Sequence, residues 1–275
     1  MNLDELRAQP AASTTRAPTT QGRWAKAGPT LTVVASLVGL FLLWSLVAAL
    51  WPSRAFPPPS QVWAVLVKDT LSGELPYNLA ITLARVVAAF AVAMVIGSAI
   101  GIMLGISRRA DQFFNVWLVL FLNIPALVII VLAYIWFGLT EAAAIGAVAV
   151  NKIPNVAVTM REGARALDPR YSEMATVYRF SPLDRLRHIL LPQLQPYFAA
   201  AARSGIALIW KIVLVVELLG RSNGVGFQIH LYFQLFDVAA ILAYTLAFVA
   251  IMLLIELFLV QPFERHATRW RQRAA

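Results

Sequence analysis

Lys211 stands near the middle of an apolar run, Phe198 to Leu219, that also carries Arg203 and Glu217. An ammonium at hydrocarbon depth is costly and must face a cavity or a counter-charge. One chemistry it could do there is the attraction of an anion, with Trp210 beside it. The competing assignment is a structural pair with Glu217, six residues on and on a rather different face, or with a carboxylate elsewhere. Glu217 has its own candidate partner in Arg221, one turn further along. Asn123 and Pro125, in another apolar window, fit either a gate or a packing kink.

Other chemistries find little support. His188, His230 and His266 are scattered without metal-ligand spacing, and the chain has no cysteine. Gly220 to Gly226 is glycine-rich but lacks the Lys-Ser/Thr pair of a phosphate loop, so ATP hydrolysis is not expected of this chain. No His/Glu/Asp cluster gathers at one depth, which disfavours a membrane-embedded enzyme.

The densest polar interval runs from Arg161 to Pro196. Asp168-Pro169 and Ser181-Pro182 each read as an N-cap followed by proline in the first helical turn, and Asp184 can reach back toward Ser181 as in a capping box. Tyr171, Met174, Val177 and Tyr178 share a face of the first short helix. Leu183, Leu186, Ile189 and Leu190 share one on the second, opposite Asp184, Arg185, Arg187 and His188. The expectation is a knob of two short helices cornered near Arg179 and Phe180, its apolar underside resting on the rest of the protein.

These residues must be positioned by membrane helices. The chain is 60% hydrophobic and 13% charged, with mean hydropathy +0.71, and its apolar runs are long rather than alternating. That predicts an all-α integral membrane protein. Residues 1–28 read as a flexible basic tail, 29–262 as the membrane domain with a cytoplasmic loop at 161–196, and 263–275 as a second basic tail.

Six spans are expected. Leu31 to Trp51 is too long for a signal-peptide core and counts as the first. After Phe56-Pro57-Pro58-Pro59, Ser60 caps a short interfacial helix to about Leu71, with Val62, Trp63, Leu66 and Val67 on one side. Val86 to Ser107 follows, with Gly97, Gly101 and Gly105 forming a small-residue packing face. Gln112 to Thr140 contains Pro125 and should be kinked or broken. Ala142 to Met160 is weaker because Lys152 and Pro154 interrupt it. Phe198 to Leu219 and Val238 to Val260 complete the set.

With the N-terminus inside, sixteen basic residues fall in cytoplasmic segments and three, Arg54, Lys68 and Arg221, outside. This bias sets both termini in the cytoplasm and accounts for the net charge of +9 without nucleic acid.

Glu173 and Ala175, followed at the right spacing by Ile189, Leu191 and Pro192, resemble the EAA loop of bacterial ABC-importer permeases. Phe56-Pro-Pro-Pro-Ser, Ile124-Pro125-Ala126, Trp136-Phe137-Gly138, Trp210, Glu217 and Asn223-Gly-Val-Gly resemble the nitrate, sulfonate, taurine and bicarbonate branch, over about residues 31 to 262. Two positions depart from the pattern: Met174 replaces the second alanine and Arg179 the glycine. Arginine there implies a different corner geometry or a tolerated strain.

The resemblance implies a type I importer permease in the bacterial inner membrane, working with a second copy of itself. It implies two cytoplasmic ATPase subunits, which would hold the ATP and Mg, an extracytoplasmic solute-binding protein, and no cofactor on this chain. It further implies an ATPase-coupling loop carrying Glu173, Ala175, Arg179, Phe180, Asp184, Ile189, Leu191 and Pro192. Lys211, Glu217, Asn123, Pro125 and Trp210 are the candidates for the solute pathway. The alternative is a transporter driven by an ion gradient, which would need several buried carboxylates where only Glu217 and Glu256 are available.

Overall fold

Glycine recurring every fourth residue on one helix, proline at some breaks (Pro59, Pro125, Pro169, Pro182) and side-chain caps at others (Ser107, Thr140, Asp237) build a helical architecture. The computed structural model describes residues 28–51 and 53–262, among which no β-strand occurs. The expected tails, 1–28 and 263–275, lie outside the described residues apart from Gly28.

The described residues divide into two units with the boundary after Leu50. The first contains α1 (Gly28–Leu50), a 23-residue apolar helix long enough to cross a bilayer. The second begins with α2 (Pro59–Leu71) and α3 (Glu74–Ile106). It continues through α4 (Arg108–Asn123), α5 (Ala126–Phe137), α6 (Glu141–Arg165) and α7 (Pro169–Val177). Then come α8 (Pro182–Arg185), a π turn (Leu186–Leu190), α9 (Leu191–Gly220), α10 (Val225–Gln234) and α11 (Val238–Ile255), which ends in a second π turn, Glu256–Val260.

Among the described residues five helices are long and apolar enough to span, and a sixth crossing is counted if the bent pair α4 and α5 is one span. That pair turns by 96°. Ile124, which precedes proline, is extended at φ −74°, ψ 124°, and Pro125 opens α5 in place of a continuing helix.

The glycine face of α3 meets α6 in the most extensive helix interface of the fold. A Cβ at Gly97 would come within 2.7 Å of Val156 Cβ, and one at Gly101 within 2.7 Å of Met160 Cβ. Small residues are therefore required for the backbones to approach this closely. The core continues through Ala89 and Ala93 of α3, Ala147 and Val148 of α6, and Ile209 and Val213 of α9. Near the C-terminal end of α6, Asp111 of α4 pairs with Arg161 (3.1 Å) and Arg165 (2.5 Å).

Four local expectations are corrected. Pro58 rather than Ser60 precedes α2, with Pro59 in its first turn, so fixed φ angles rather than a hydroxyl start this helix. Lys152 and Pro154 do not interrupt the fourth span: both are buried inside the continuous α6, whose packing against α3 and α9 offsets the missing proline N–H. The helix begun at Ser181-Pro182 is not short either. It runs on into α9, and the wider π turn takes up the break in hydrogen bonding that Pro192 imposes. Finally, most of the knob's apolar side chains face outward rather than inward: Val177 is 78% exposed, Tyr178 71% and Leu183 71%, while Ala175, Ile189 and Leu190 turn toward the core.

Candidate functional site

Two regions and a buried network between helices carry the candidate residues. At the corner, the Asp168 side chain accepts the Arg170 N–H at 2.9 Å and starts α7. The helix ends in a Schellman arrangement, in which Phe180 N–H donates to Ala175 O (2.9 Å) and Arg179 N–H to Thr176 O (3.2 Å). Arg179 accordingly holds the left-handed conformation, φ 51°, that glycine would hold without steric cost. The turn geometry is retained and arginine carries the strain, about 1 kcal/mol.

Ser181 then opens α8. Its hydroxyl accepts from Asp184 N–H (3.2 Å) and donates to Asp184 Oδ2 (2.6 Å). The shorter carboxylate thus takes the hydroxyl rather than the backbone N–H that a capping-box glutamate reaches. Arg185 donates to Thr176 Oγ1 (3.0 Å), and Gln193 Oε1 accepts from Asp168 N–H (3.0 Å), fixing the corner from both sides. Glu173, Arg179, Leu191 and Pro192 are exposed, Phe180 is half-buried, and Ala175 and Ile189 anchor the underside. Among the described residues no ion pair engages Glu173.

On α9, Ser204, Leu208, Lys211 and Val215 form an exposed stripe. The Lys211 ammonium lies 5.4 Å from the centre of the Trp210 ring. A lysine at this depth cannot be left among lipid tails, so the stripe must meet water or another polypeptide. Asn123, at the end of α4, folds back to donate to Val119 O (2.7 Å), and Pro125 shapes the bend beside it.

Glu217 does not join that stripe. It is 0% exposed. Its Oε1 accepts from Arg85 Nη1 (2.7 Å), and its Oε2 from Thr82 Oγ1 (2.9 Å) and from Gly226 N–H (2.8 Å). Arg85, 4% exposed, also forks onto Glu141 through Nε (2.9 Å) and Nη2 (2.6 Å) and donates to Asn223 O (2.9 Å). Arg221 pairs with Glu141 (2.5 Å) and donates to Leu139 O instead of reaching the Glu217 side chain. Neither of the pairings expected for Glu217, with Lys211 or with Arg221, is therefore formed.

Gly226 permits this arrangement because its bare Cα lets the backbone N–H approach the carboxylate; a Cβ would meet Glu217 Cβ at 2.7 Å. Arg85, Thr82 and Glu141 of this network are not among the sequence candidates; the available signal for Arg85 is a guanidinium just before the second apolar window. Further out, Tyr232 of α10 donates to Asp69 of α2 (3.3 Å). Burial and that carboxylate push the Tyr232 phenol up.

Comparison with known proteins follows the same lines. The model of the family described as binding-protein-dependent transport system inner membrane component matches residues 93–271. The aliphatic sulfonates transport permease protein SsuC of Escherichia coli (strain K12) is 31% identical over 192 residues, 69% of this chain and 73% of that protein. The taurine transport system permease protein TauC of the same organism is 25% identical over 90% of this chain and 92% of its own length. The bicarbonate transport system permease protein CmpB of Synechococcus elongatus (strain ATCC 33912 / PCC 7942 / FACHB-805) is 24% identical over 82% and 85%. Among solved structures, inward-facing MetNI methionine ABC transporter shares the fold with a TM-score of 0.58 at 20% identity, covering 68% of this chain and 93% of that one.

Proposed function

The chain belongs to the family of binding-protein-dependent transport system inner-membrane components, and from that premise we propose that it passes a small anion into the cytoplasm at the expense of ATP hydrolysed by partner subunits. Two copies pair through the open face of α9. A solute-binding protein delivers the solute outside, and paired ATPase subunits hold the exposed α7–α8 corner inside. The solute is of the sulfonate, taurine, nitrate or bicarbonate kind, or a related organic acid.

The observation that carries this reading is the placement of Lys211: an exposed ammonium near mid-span on a helix that continues through the π turn to the cytoplasmic corner. Closure of the ATPase pair would move the corner, and the rigid stretch Pro182–Gly220 would carry that displacement to the solute face. The corner suits such a grip because its apolar side chains, Val177, Tyr178 and Leu183, are exposed around Glu173. A gradient-driven mechanism is poorly served, because Glu217 is fully engaged by Arg85, Thr82 and Gly226 rather than open to a proton path.

The test is ATP-driven uptake by the assembled importer in proteoliposomes, with an alkanesulfonate, taurine, nitrate and bicarbonate offered separately. Uptake of at least one anion should require ATP and disappear in Glu173→Ala combined with Arg179→Glu while the subunits are all present. Uptake that persists in the double variant would overturn the coupling assignment, and uptake indifferent to ATP would overturn the importer reading.

A further inference from the structure

Lys152 is the buried charge that the function above leaves unused. It is 1% exposed, at about 16 Å from the outer end of α6, and so lies near mid-membrane. Its Nζ donates to Ser204 O of α9 at 3.3 Å. Among the described residues no carboxylate pairs with it. Arg85, the other basic residue buried in this bundle, forks onto two carboxylates. A cation taken out of water with a single carbonyl acceptor is expensive, and a methionine of similar length would fill the same space without that cost.

The acceptor shows where the charge is directed. Ser204 lies on the exposed α9 stripe, about 10 Å from Lys211 on its cytoplasmic side. The stem of Lys152 and the Phe90 ring both pack against Gly205: the Cβ that Gly205 lacks would sit 3.5 Å from Lys152 Cε and 3.3 Å from the Phe90 ring. The ammonium therefore lies just beneath the backbone of α9 at Ser204, one stage further inward than Lys211, with N–H donors to spare.

Resting on the anion-pathway reading of Lys211, we infer that Lys152 is a second anion-receiving cation, which takes a sulfonate- or carboxylate-type solute from Lys211 as it moves inward past Ser204. Two weakly compensated cations in series let an anion bind well enough to enter while always having a next site to leave for. The flexible lysine stem suits a transient contact better than a rigid guanidinium fork does.

The absence of cysteine gives a direct test on the full chain assembled with its ATPase subunits. Ser204→Cys is modified with an anionic probe, 2-sulfonatoethyl methanethiosulfonate, and with a cationic one, 2-(trimethylammonio)ethyl methanethiosulfonate. A unit charge about 6 Å away in a water-like medium shifts the ratio of the two rates about tenfold. The ratio should favour the anion, fall about tenfold when Lys152→Met is added, and be kept by Lys152→Arg. A ratio unchanged by Lys152→Met, with Lys211→Met lowering it, overturns this inference and leaves the pathway reading intact. Failure of both probes to react at Ser204→Cys, or at Leu208→Cys as a second position, shows a dry face and overturns both.

Discussion

Replacing Arg85 by methionine removes the cation that joins α3, α6 and the α9–α10 connection. Glu217 would keep Thr82 and Gly226 N–H as donors, but its carboxylate, 0% exposed, would lose its only counter-charge among the described residues. Glu141, half-exposed, would keep Arg221 and meet solvent, so the cost falls mainly on Glu217. Breaking a buried pair from one side costs about 3–5 kcal/mol, whereas removing both members together costs far less. At about 2–4 °C per kcal/mol for a chain of roughly this size, Arg85→Met should lower the thermal midpoint in detergent by on the order of 10 °C.

Glu217→Leu should cost a similar amount by stranding Arg85, and the double variant should recover at least half of the sum of the two losses. The assay is a double-mutant cycle on midpoints, read by tryptophan fluorescence and by the monodisperse fraction after heating. A single-variant loss no greater than that of the exposed Glu173→Ala, or strictly additive losses in the double variant, would refute the account of this network.

The remaining predictions concern packing and the corner. Gly101→Leu should force α3 away from α6, where Met160 already sits within reach of any added Cβ, and should cost on the order of 2–3 kcal/mol in the same melting assay; a neutral result contradicts the close approach. Arg179→Gly should raise the thermal midpoint and Arg179→Val lower it, each by a change on the order of 1 kcal/mol, because the position stays at positive φ; equal midpoints for the two variants contradict the Schellman corner. Gly226→Ala should cost as much as loss of the Glu217 hydrogen bond, roughly 1–3 kcal/mol, with the larger deficit around the α9–α10 connection as read by hydrogen exchange.

Much of the fold is legible in the residues. Long apolar windows, three of them charge-free, mark the spans, the four-residue glycine spacing marks a close-packing face on α3 though not its partner α6, and Asp168-Pro169 and Ser181-Pro182 mark helix starts at those positions. What misled was local reading of effects that tertiary packing decides. Pro154 and Lys152 look like interruptions in one dimension, but α6 is supported along both sides and stays continuous. Glu217 has two basic residues nearby in sequence, yet its partner Arg85 comes from α3, a choice that only helix packing makes. The direction of the knob's apolar face depended likewise on which polar anchors hold it, Gln193 and Thr176, and periodicity alone does not rank those. Arg179 was legible as an anomaly, and its backbone conformation answers it.

The central claim, that α9 carries an anion path driven from the cytoplasmic corner, is tested most directly at Lys211. The measurement is the concentration dependence of ATP-driven anion uptake by the reconstituted importer, comparing the unmodified chain with Lys211→Met and Lys211→Arg at equal assembly. The account predicts a severalfold or greater loss of uptake efficiency in Lys211→Met, substantially restored in Lys211→Arg, with basal ATPase activity retained. Unchanged uptake in Lys211→Met would contradict it.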